Sequence, residues 1–404
     1  MEKFDVVVIG SGALGASAAF HLQRSGRKVA LVDKAEIASQ TSPRAAGLSG
    51  QVRQTELMTK LAVRAVEKIE CFTEETGEPM EFHQPGSMSV ARLPEHGKLL
   101  EERIGRAKRL GLDVDMISPD EACRLNPFLN DKGILAVSHM RTDVFLEPRQ
   151  MPLGYAMGAQ RLGATLMPNT QVIDIVVENG AATRVVTDKG ELIAASIVDA
   201  AGGWLRQVAS FAPAKAPVVP MRHQLMITVP IPGVSNAQPI TRILDANVYV
   251  RPCRGGLMFG GYEADPKPYD MAKAGPGFRI EDIDLDLSVL QRLAETVRDQ
   301  FPIFQQGVAL QEHRGGLPTM TLDGDPVLGP APGVRGLYIL GGCNVGGLSI
   351  APALGEQLAQ MIVEGQMSFD LSRMSPSRFS ADLSEAELQE KCRDRYAHYY
   401  TKSL

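Results

Sequence analysis

Cysteine is scarce in this chain and poorly spaced for structural use. The five residues, Cys71, Cys123, Cys253, Cys343 and Cys392, are odd in number, far apart and form no CxxC pair. That excludes a disulfide framework and a thiolate metal site, and it points to reduced thiols in a cytoplasmic protein. Seven histidines are scattered without HExxH or any other ligand spacing, so no metal is expected. Charge of one sign is also lacking. The 42 Lys and Arg against 47 Asp and Glu leave a net charge of −5, which is no electrostatic footprint for nucleic acid. Long apolar runs are missing too. Val6–Ile9 is too short for a secretory leader. Leu337–Gly355 is uncharged but broken by glycines, Asn344, serine and proline, so a cofactor loop is expected there rather than a membrane span. There is no Ser/His/Asp or paired-carboxylate constellation, no internal repeat and no low-complexity segment.

What the chain does have is glycine, in three separated clusters. In the first, the apolar run Val6–Ile9 leads into Gly10-Ser11-Gly12-Ala13-Leu14-Gly15. Helix formers follow from Ala16 to Arg24 with a stop near Gly26, and a second apolar run, Val29–Val32, closes on Asp33 and Lys34. Strand, glycine turn, helix, strand and terminal acid occur in the register of a dinucleotide fold. The glycines let backbone N–H groups approach a pyrophosphate, the helix N-terminus faces the anion, and the acid accepts hydrogen bonds from a ribose. The second cluster is Ile197-Val198-Asp199-Ala200-Ala201-Gly202-Gly203-Trp204. The third follows a predicted strand at Leu337–Leu340 and runs Gly341-Gly342-Cys343-Asn344-Val345-Gly346-Gly347-Leu348. Apolar residues at helical spacing then continue from Pro352 through Leu354, Leu358 and Ile362. An NAD enzyme has no need of that late return to glycine. FAD bound along the whole molecule does, because a positive helix end beside the N1/O2 edge stabilises the reduced flavin.

Further segments carry a resemblance: Arg44-Ala45-Ala46-Gly47-Leu48, Pro220-Met221-Arg222-His223-Gln224, Tyr249-Val250-Arg251-Pro252, Gly255 to Glu263, and Asp323 to Pro330. With the glycine clusters they resemble the D-amino-acid-oxidase-like superfamily of FAD enzymes over about residues 4 to 380. Within it, the chain is most similar to the flavin domain of dimethylglycine and sarcosine dehydrogenases and to sarcosine oxidase beta subunits. The match ends before the folate-binding domains of those dehydrogenases.

The fold class implied is α/β, an FAD-binding Rossmann-like domain interleaved with an α+β substrate domain built on an antiparallel sheet. The expected division is 1–85, 141–215 and 309–375 for the FAD-binding domain, and 86–140 and 216–308 for the substrate domain. A C-terminal helical tail, 376–404, has a capping-box signal at Ser384 to Glu387 and an apolar stripe of Leu388, Cys392 and Tyr396.

The resemblance implies oxidation of a C–H bond beside an amine nitrogen, with hydride passing to flavin N5 and the resulting iminium hydrolysed by water. The substrate would be a secondary or tertiary amine or an N-methyl, cyclic or D-amino acid. The flavin carries the hard step, so the protein has to position the substrate and exclude water. Cofactor contacts are expected from Gly10 to Gly15, Asp33, Lys34, Arg44 to Leu48, Val172, Ala200, Ala201, Gly202, Trp204, Gly315, Leu317, Gly342 and Asn344 to Leu348. The substrate side is expected to use His223, Tyr249, Arg251 and Tyr262. Tyr249 and Arg251 alternate along one strand and so face one side. Arg251 offers a planar fork for a carboxylate. A core histidine at 223, a surface arginine at 251 and a core tyrosine at 249 are the plainer readings. Arg44 and Arg53 are placed near the isoalloxazine.

Two departures from the family bear on chemistry. Arg44 stands where covalently flavinylated relatives carry histidine, and no cysteine occurs between His313 and Leu317, so non-covalent FAD is expected. Met258 falls where related oxidases place an oxygen-activating lysine, which favours an electron-transfer flavoprotein or other acceptor over O₂. Assembly as a homo- or hetero-oligomer is compatible with the resemblance. Other readings are a hydroxy-acid or polyol-phosphate dehydrogenase of the same superfamily, or the flavin-binding subunit of an amine oxidase complex. A basic cluster around the substrate would favour the phosphate ester, and none is apparent along the chain.

Overall fold

The computed structural model describes residues 2–401, apart from Pro276 and Ala381. Lys402–Leu404 of the expected tail lie outside the described residues. The short apolar runs of the first βαβ unit become the parallel strands Glu2–Ile9 and Val29–Val32. Strand Gly190–Asp199 pairs parallel on the other side of Glu2–Ile9 and is itself flanked by Leu337–Gly341, again parallel. Thr165–Met167 extends the sheet beyond Val29–Val32. Thr165–Met167 is thus one edge. On the other side of Gly190–Asp199, its first half pairs with Ala181–Thr187 and then Val172–Glu178, both antiparallel, and Leu337–Gly341 along its second half carries Val327–Pro330 outside it. Registers Val32 to Ile9, Ile9 to Asp199 and Asp199 to Ile339 bring the ends of four adjacent strands level. Asp33 and all three glycine clusters therefore emerge at one carboxyl edge, where open α/β sheets bind ligands.

Both faces of this sheet are covered. Val6 and Val8 pack into one apolar cluster while Val7 and Ile9 enter the other, as the period of two requires. Each such side chain, fully buried, contributes about 1.5–3 kcal/mol. Helix Ala13–Arg24 packs on helix Gly347–Glu364, and the two approach so closely that a Cβ at Gly355 would lie 2.3 Å from Ser17 Oγ. The latter helix begins in the glycine loop itself, five residues before the Pro352 at which its apolar pattern starts. Helix Glu56–Glu70 is stapled to it by ions: Arg64 reaches both Glu356 oxygens at 2.8 Å, and the buried Lys68 lies 2.9 Å from Glu356 and 3.2 Å from Glu75.

The second large sheet runs, in spatial order, Leu310–Gly316, His223–Thr228, Gly256–Gly261, Val248–Cys253, Ile240–Ile243, Ser87–Ala91, Ala136–Met140 and Val114–Ile117. Its pairs are antiparallel except Ile240–Ile243 with Ser87–Ala91, which is parallel. Leu310–Gly316 belongs here although the segment from 309 onward was expected in the FAD-binding domain; its hydrogen bonds to His223–Thr228 decide this. The helical tail Glu385–Ala397 is capped by Ser384, whose Oγ accepts from Glu387 N–H at 3.2 Å. Leu388, Cys392 and Tyr396 pack with Tyr249 and Tyr262 on this sheet, so the stripe docks on its own chain. Among the described residues no helix is long and apolar enough to cross a membrane, no acid–histidine–cysteine group could hold a metal, and all five cysteines are free.

Candidate active site

Two cavities meet at Thr41, which lines both. The smaller, about 130 Å³, lies along the carboxyl edge of the parallel sheet. Gly10, Gly12, Asp33, Lys34, Val172, Ala200, Ala201, Gly202 and Trp204 all face it. Gly10 has φ +101°, and a Cβ there would lie 2.5 Å from Ala200 O, so only glycine fits. A Cβ at Gly12 would meet only Ser42 Oγ, at 3.2 Å; the cradle stays open because Gly12 has no side chain. Ser42 Oγ also accepts from Ala13 N–H at 2.9 Å, fixing the helix start.

Asp33 accepts from Ser11 N–H at 2.8 Å and Ser11 O–H at 2.6 Å through one oxygen, and from Ala35 N–H at 2.9 Å through the other. Burial raises its pKa, and the bonds from Ser11 oppose that rise. A fixed acceptor beside an open glycine cradle, with a helix N-terminus behind it, suits the ribose and pyrophosphate of a dinucleotide. Lys34 is held by Phe278 O at 3.0 Å and lies 4.0 Å from the Trp204 ring centre.

The larger cavity, about 250 Å³, lies between the parallel sheet and the second sheet. Arg44 to Leu48 form one wall, and Asn344, Val345, Gly346 and Leu348 another. Asn344 and Val345 both have positive φ, 47° and 68°, a conformation a β-branched residue adopts only under constraint. The constraint is visible: Asn344 Oδ1 accepts from Thr321 N–H at 2.8 Å, and its amide donates to Gly342 O at 2.8 Å. The loop thereby aims the N-terminus of helix Gly347–Glu364 into the cavity.

Not every expected cofactor residue lines a cavity. Ser11 is buried and orients Asp33, and Ala13 and Leu14 lie in the helix behind the cradle. A Cβ at Gly15 would come 1.8 Å from Gly10 O, so this glycine serves helix–strand contact. Gly315 is closed by Leu285 and His223 O; its neighbour Gly316 faces the cavity instead. Leu317 packs with Ile280 and Ile283, its N–H donating to Thr41 Oγ1 at 3.2 Å. Gly342 and Gly347 shape the third loop from behind.

On the sheet side, one register row crosses four strands as Ser138, Ser89, Arg242 and Tyr249, and then meets Gly260. A Cβ at Gly260 would lie 2.3 Å from the Tyr249 hydroxyl, so the tyrosine lies across its neighbour toward His223. His223 Nε2 is 3.0 Å from Tyr249 Oη and Nδ1 is 2.7 Å from Tyr396 Oη. Burial pushes its pKa down to about 4, and burial raises both phenols. The trio is therefore neutral at physiological pH, with one imidazole nitrogen donating and the other accepting. His223, Tyr249 and Tyr262 line the cavity, and Tyr262 stacks on Tyr399 at 4.3 Å.

Arg251 is placed differently from its expected clamp. Its guanidinium donates to Ala46 O at 2.8 Å and to Pro252 O at 2.7 Å and is not among the cavity-lining groups. Arg314, which sequence reasoning missed, donates to Ala45 O at 2.9 Å. The two pin the Arg44–Leu48 loop from the sheet below. Met258 is fully buried, in register with Arg251 and Ile227, and also lies outside the lining, so a lysine there would enter the core. The basic cluster not apparent along the chain is present in space: Arg53, Arg103 and Arg242 share this cavity. Of these only Arg53 was singled out by sequence, because the other two stand on a polar helix and a short strand without any motif.

Dimethylglycine dehydrogenase of Rattus norvegicus is 29% identical over 404 residues, covering 98% of this chain and 47% of the relative. Human sarcosine dehydrogenase is 29% identical over 411 residues, with 98% and 44% covered. The chain thus spans about half the length of these relatives. Glycine oxidase of Geobacillus kaustophilus is 24% identical over 385 residues, with 93% and 97% covered. Among solved structures, L-proline dehydrogenase from P. horikoshii superposes with a TM-score of 0.83 at 25% identity, covering 94% of this chain and 98% of that one. With residues 5–361 matching the DAO family of FAD dependent oxidoreductases, and a glycine cradle opening onto a cavity beneath a second sheet, the chain belongs to that family, with FAD as its cofactor.

Proposed function

We propose that this chain oxidises the C–H bond beside the nitrogen of a secondary or tertiary amine or amino acid, of N-methyl, cyclic or D type. The observation that carries the reading is the neutral pair His223 and Tyr249, backed by Tyr396, facing the same cavity as the Arg44–Leu48 loop and the third glycine cluster. FAD, when bound, supplies the hydride acceptor, leaving an iminium that water hydrolyses. The residues around it need only bind, orient and keep water out.

Arg44 to Leu48 and Asn344 to Leu348 are the residues that would hold the isoalloxazine, and Gly10, Gly12 and Asp33 the rest of the nucleotide. The Tyr249 hydroxyl can fix a polar group of the substrate. A neutral His223 places no positive charge beside an amine whose lone pair must stay free. Tyr262, Tyr399 and Tyr400 form an aromatic layer that excludes water. The relatives named for dimethylglycine, sarcosine and proline oxidation support the same chemistry.

FAD is held without a covalent bond in this reading. Arg44 offers no nucleophile, and Cys343, which does line the cavity, has its thiol pushed up to about 12 by burial and so stays protonated. Acid or heat denaturation should release all the flavin. The deciding test is anaerobic bleaching of the flavin absorbance by a panel of amines, hydroxy acids and polyol phosphates. Bleaching by N-alkyl, cyclic or D-amino acids is expected. Bleaching by hydroxy acids or phosphates alone would overturn the proposal.

A further inference from the structure

We propose that the sheet end of the cavity is built for a substrate carrying two negative charges, an amino acid with a second carboxylate distant from its nitrogen. The inference rests on the amine-oxidation reading above for the nitrogen, but on charge and geometry for the second acid.

Arg53, Arg103 and Arg242 enter the cavity from three separate elements: the loop before helix Glu56–Glu70, helix Pro94–Arg109, and strand Ile240–Ile243. Among the described residues, none of the three forms an ion pair with a carboxylate. Arg53 donates to Ser349 Oγ at 2.7 Å, in the first turn of the helix behind the third glycine loop. Arg103 donates to the backbone oxygen of Tyr400 at 2.7 Å. Neither acceptor carries a charge. Arg44, by contrast, lies 3.7 Å from Glu281, and Arg395 has Asp323 and Asp325 as neighbouring charges.

Asp143 is the only carboxylate among the described residues lining this cavity. It accepts from Gln51 N–H and Ser87 O–H, and both its Oδ2 and the Arg242 guanidinium crowd over Gly50, where a Cβ would lie 3.0 and 3.1 Å from them. Asp143 therefore offsets one of three positive charges, and two remain. Burial and the neighbouring Arg106 bring the Arg103 guanidinium down to about 10, still charged at neutral pH and short of an anion. Uncompensated guanidinium groups in a half-buried cavity are costly unless a ligand supplies the counter-charge, and their planar forks suit carboxylates. Arg53 beside Ser349 marks the flavin side. Arg103 and Arg242 lie toward the C-terminal segment and the sheet, so the second acid is placed away from the reacting carbon.

The test titrates the oxidised holoenzyme with glutarate and with acetate, neither of which has a C–N bond to oxidise, and follows the flavin spectrum. Half-saturation by glutarate should lie at least tenfold below that by acetate. Arg103→Gln should erase most of that preference and Arg103→Lys should retain at least half of it. Arg242→Gln serves as a second variant if a lowered Tm shows that Arg103→Gln unseats the C-terminal segment. Equal binding of the two acids, or equal weakening of both by the variants, would overturn the proposal and leave Arg53 and its neighbours serving the cofactor. Anaerobic bleaching separates the two readings. N-methyl-L-glutamate should reduce the flavin at lower concentration than N-methylglycine. If N-methylglycine is as good or better, the second carboxylate falls and amine oxidation stands. If glycerol 3-phosphate alone bleaches, amine oxidation falls, and the amino-acid substrate with it.

Discussion

The two ends of the ligand groove are built in opposite ways. At the nucleotide end the cradle is made by Gly10, Gly12, Asp33, Ala200, Ala201 and Gly202, on turns that follow the adjacent parallel strands Glu2–Ile9, Val29–Val32 and Gly190–Asp199. Every one of those turns is contiguous in the chain. At the sheet end the Arg44–Leu48 loop and the third glycine cluster are joined by side chains from separate elements, among them Arg103, His223, Arg242, Tyr249 and Tyr400, which share no motif. Recognition by main-chain N–H groups needs glycine where a Cβ would intrude, which leaves a local trace. Recognition by arginines and tyrosines needs only that their elements converge, which leaves none.

The largest effect should come from setting two glycines of one motif against each other. Gly15→Val forces a side chain onto the Gly10 carbonyl, 1.8 Å from its Cβ, and should cost about 3 kcal/mol or more, enough to remove folded protein from a soluble preparation. At Gly12 a Cβ meets only Ser42 Oγ, so Gly12→Val should fold with a near-native circular dichroism spectrum yet carry no flavin. A Gly12→Val protein with full flavin content would break the assignment of this end.

Next in size is the response to acid, where the Glu356 ion cluster behind the groove and His223 at its sheet end should fail in different pH windows. Burial opposes ionisation of Glu356, but hydrogen bonds from Arg64 and Lys68 outweigh it and hold the carboxyl at about 2, below its ordinary 4.5. Its contribution is complete above pH 4.5 and is lost as pH falls from there toward 2. Glu356→Gln, which removes the shared carboxylate of Arg64 and Lys68 and leaves the buried Lys68 to Glu75 alone, should cost about 3 kcal/mol at pH 7. His223 is neutral when folded and is held at about 4 against an ordinary 6.5. The unfolded chain therefore binds the extra proton first, and stability is lost as pH falls from 6.5 to 4. Melting temperatures across pH 3–8 should show the His223 slope removed by His223→Gln but kept by Glu356→Gln. Identical slopes in both variants would refute the separation.

The smallest effect is expected from Arg251→Lys. Lysine keeps the charge but not the fork that spans the Ala46 and Pro252 carbonyls. FAD affinity of the apoprotein should fall about tenfold, the loss of about one hydrogen bond to a charged group, while KM for the substrate moves less. A raised KM with unchanged FAD affinity would return Arg251 to the carboxylate site.

Much of the frame was legible in advance. Val6–Ile9, Val29–Val32 and Leu337–Leu340 read as strands because short apolar runs ended on glycine or acid, and they are strands. Ser384 read as a cap because a hydroxyl three residues before an acid satisfies a free helix N–H, and it does. The sheet that Leu310–Gly316 joins was not legible, because its polar sequence, Gln311 to Arg314, carries no apolar face; pairing with His223–Thr228 chooses it. Arg251 shared a strand face with Tyr249 as alternation demands, yet the Ala46 carbonyl, in a loop about two hundred residues away, captured it.

The amino-acid sequence by itself determined that a glycine-rich cradle lies along the carboxyl edge of a parallel sheet, because it is made of turns in which particular positions tolerate no side chain. It also determined the two-layer alternation of Val6 to Ile9, because strand periodicity depends only on the backbone. Only the tertiary structure decided that Arg53, Arg103 and Arg242 face one space whose only carboxylate among the described residues is Asp143, that His223 lies between two tyrosine hydroxyls, and that Arg251 and Arg314 donate to carbonyls of the Arg44–Leu48 loop. A long side chain commits to its partner only when the fold brings one within reach, and no local pattern encodes that meeting.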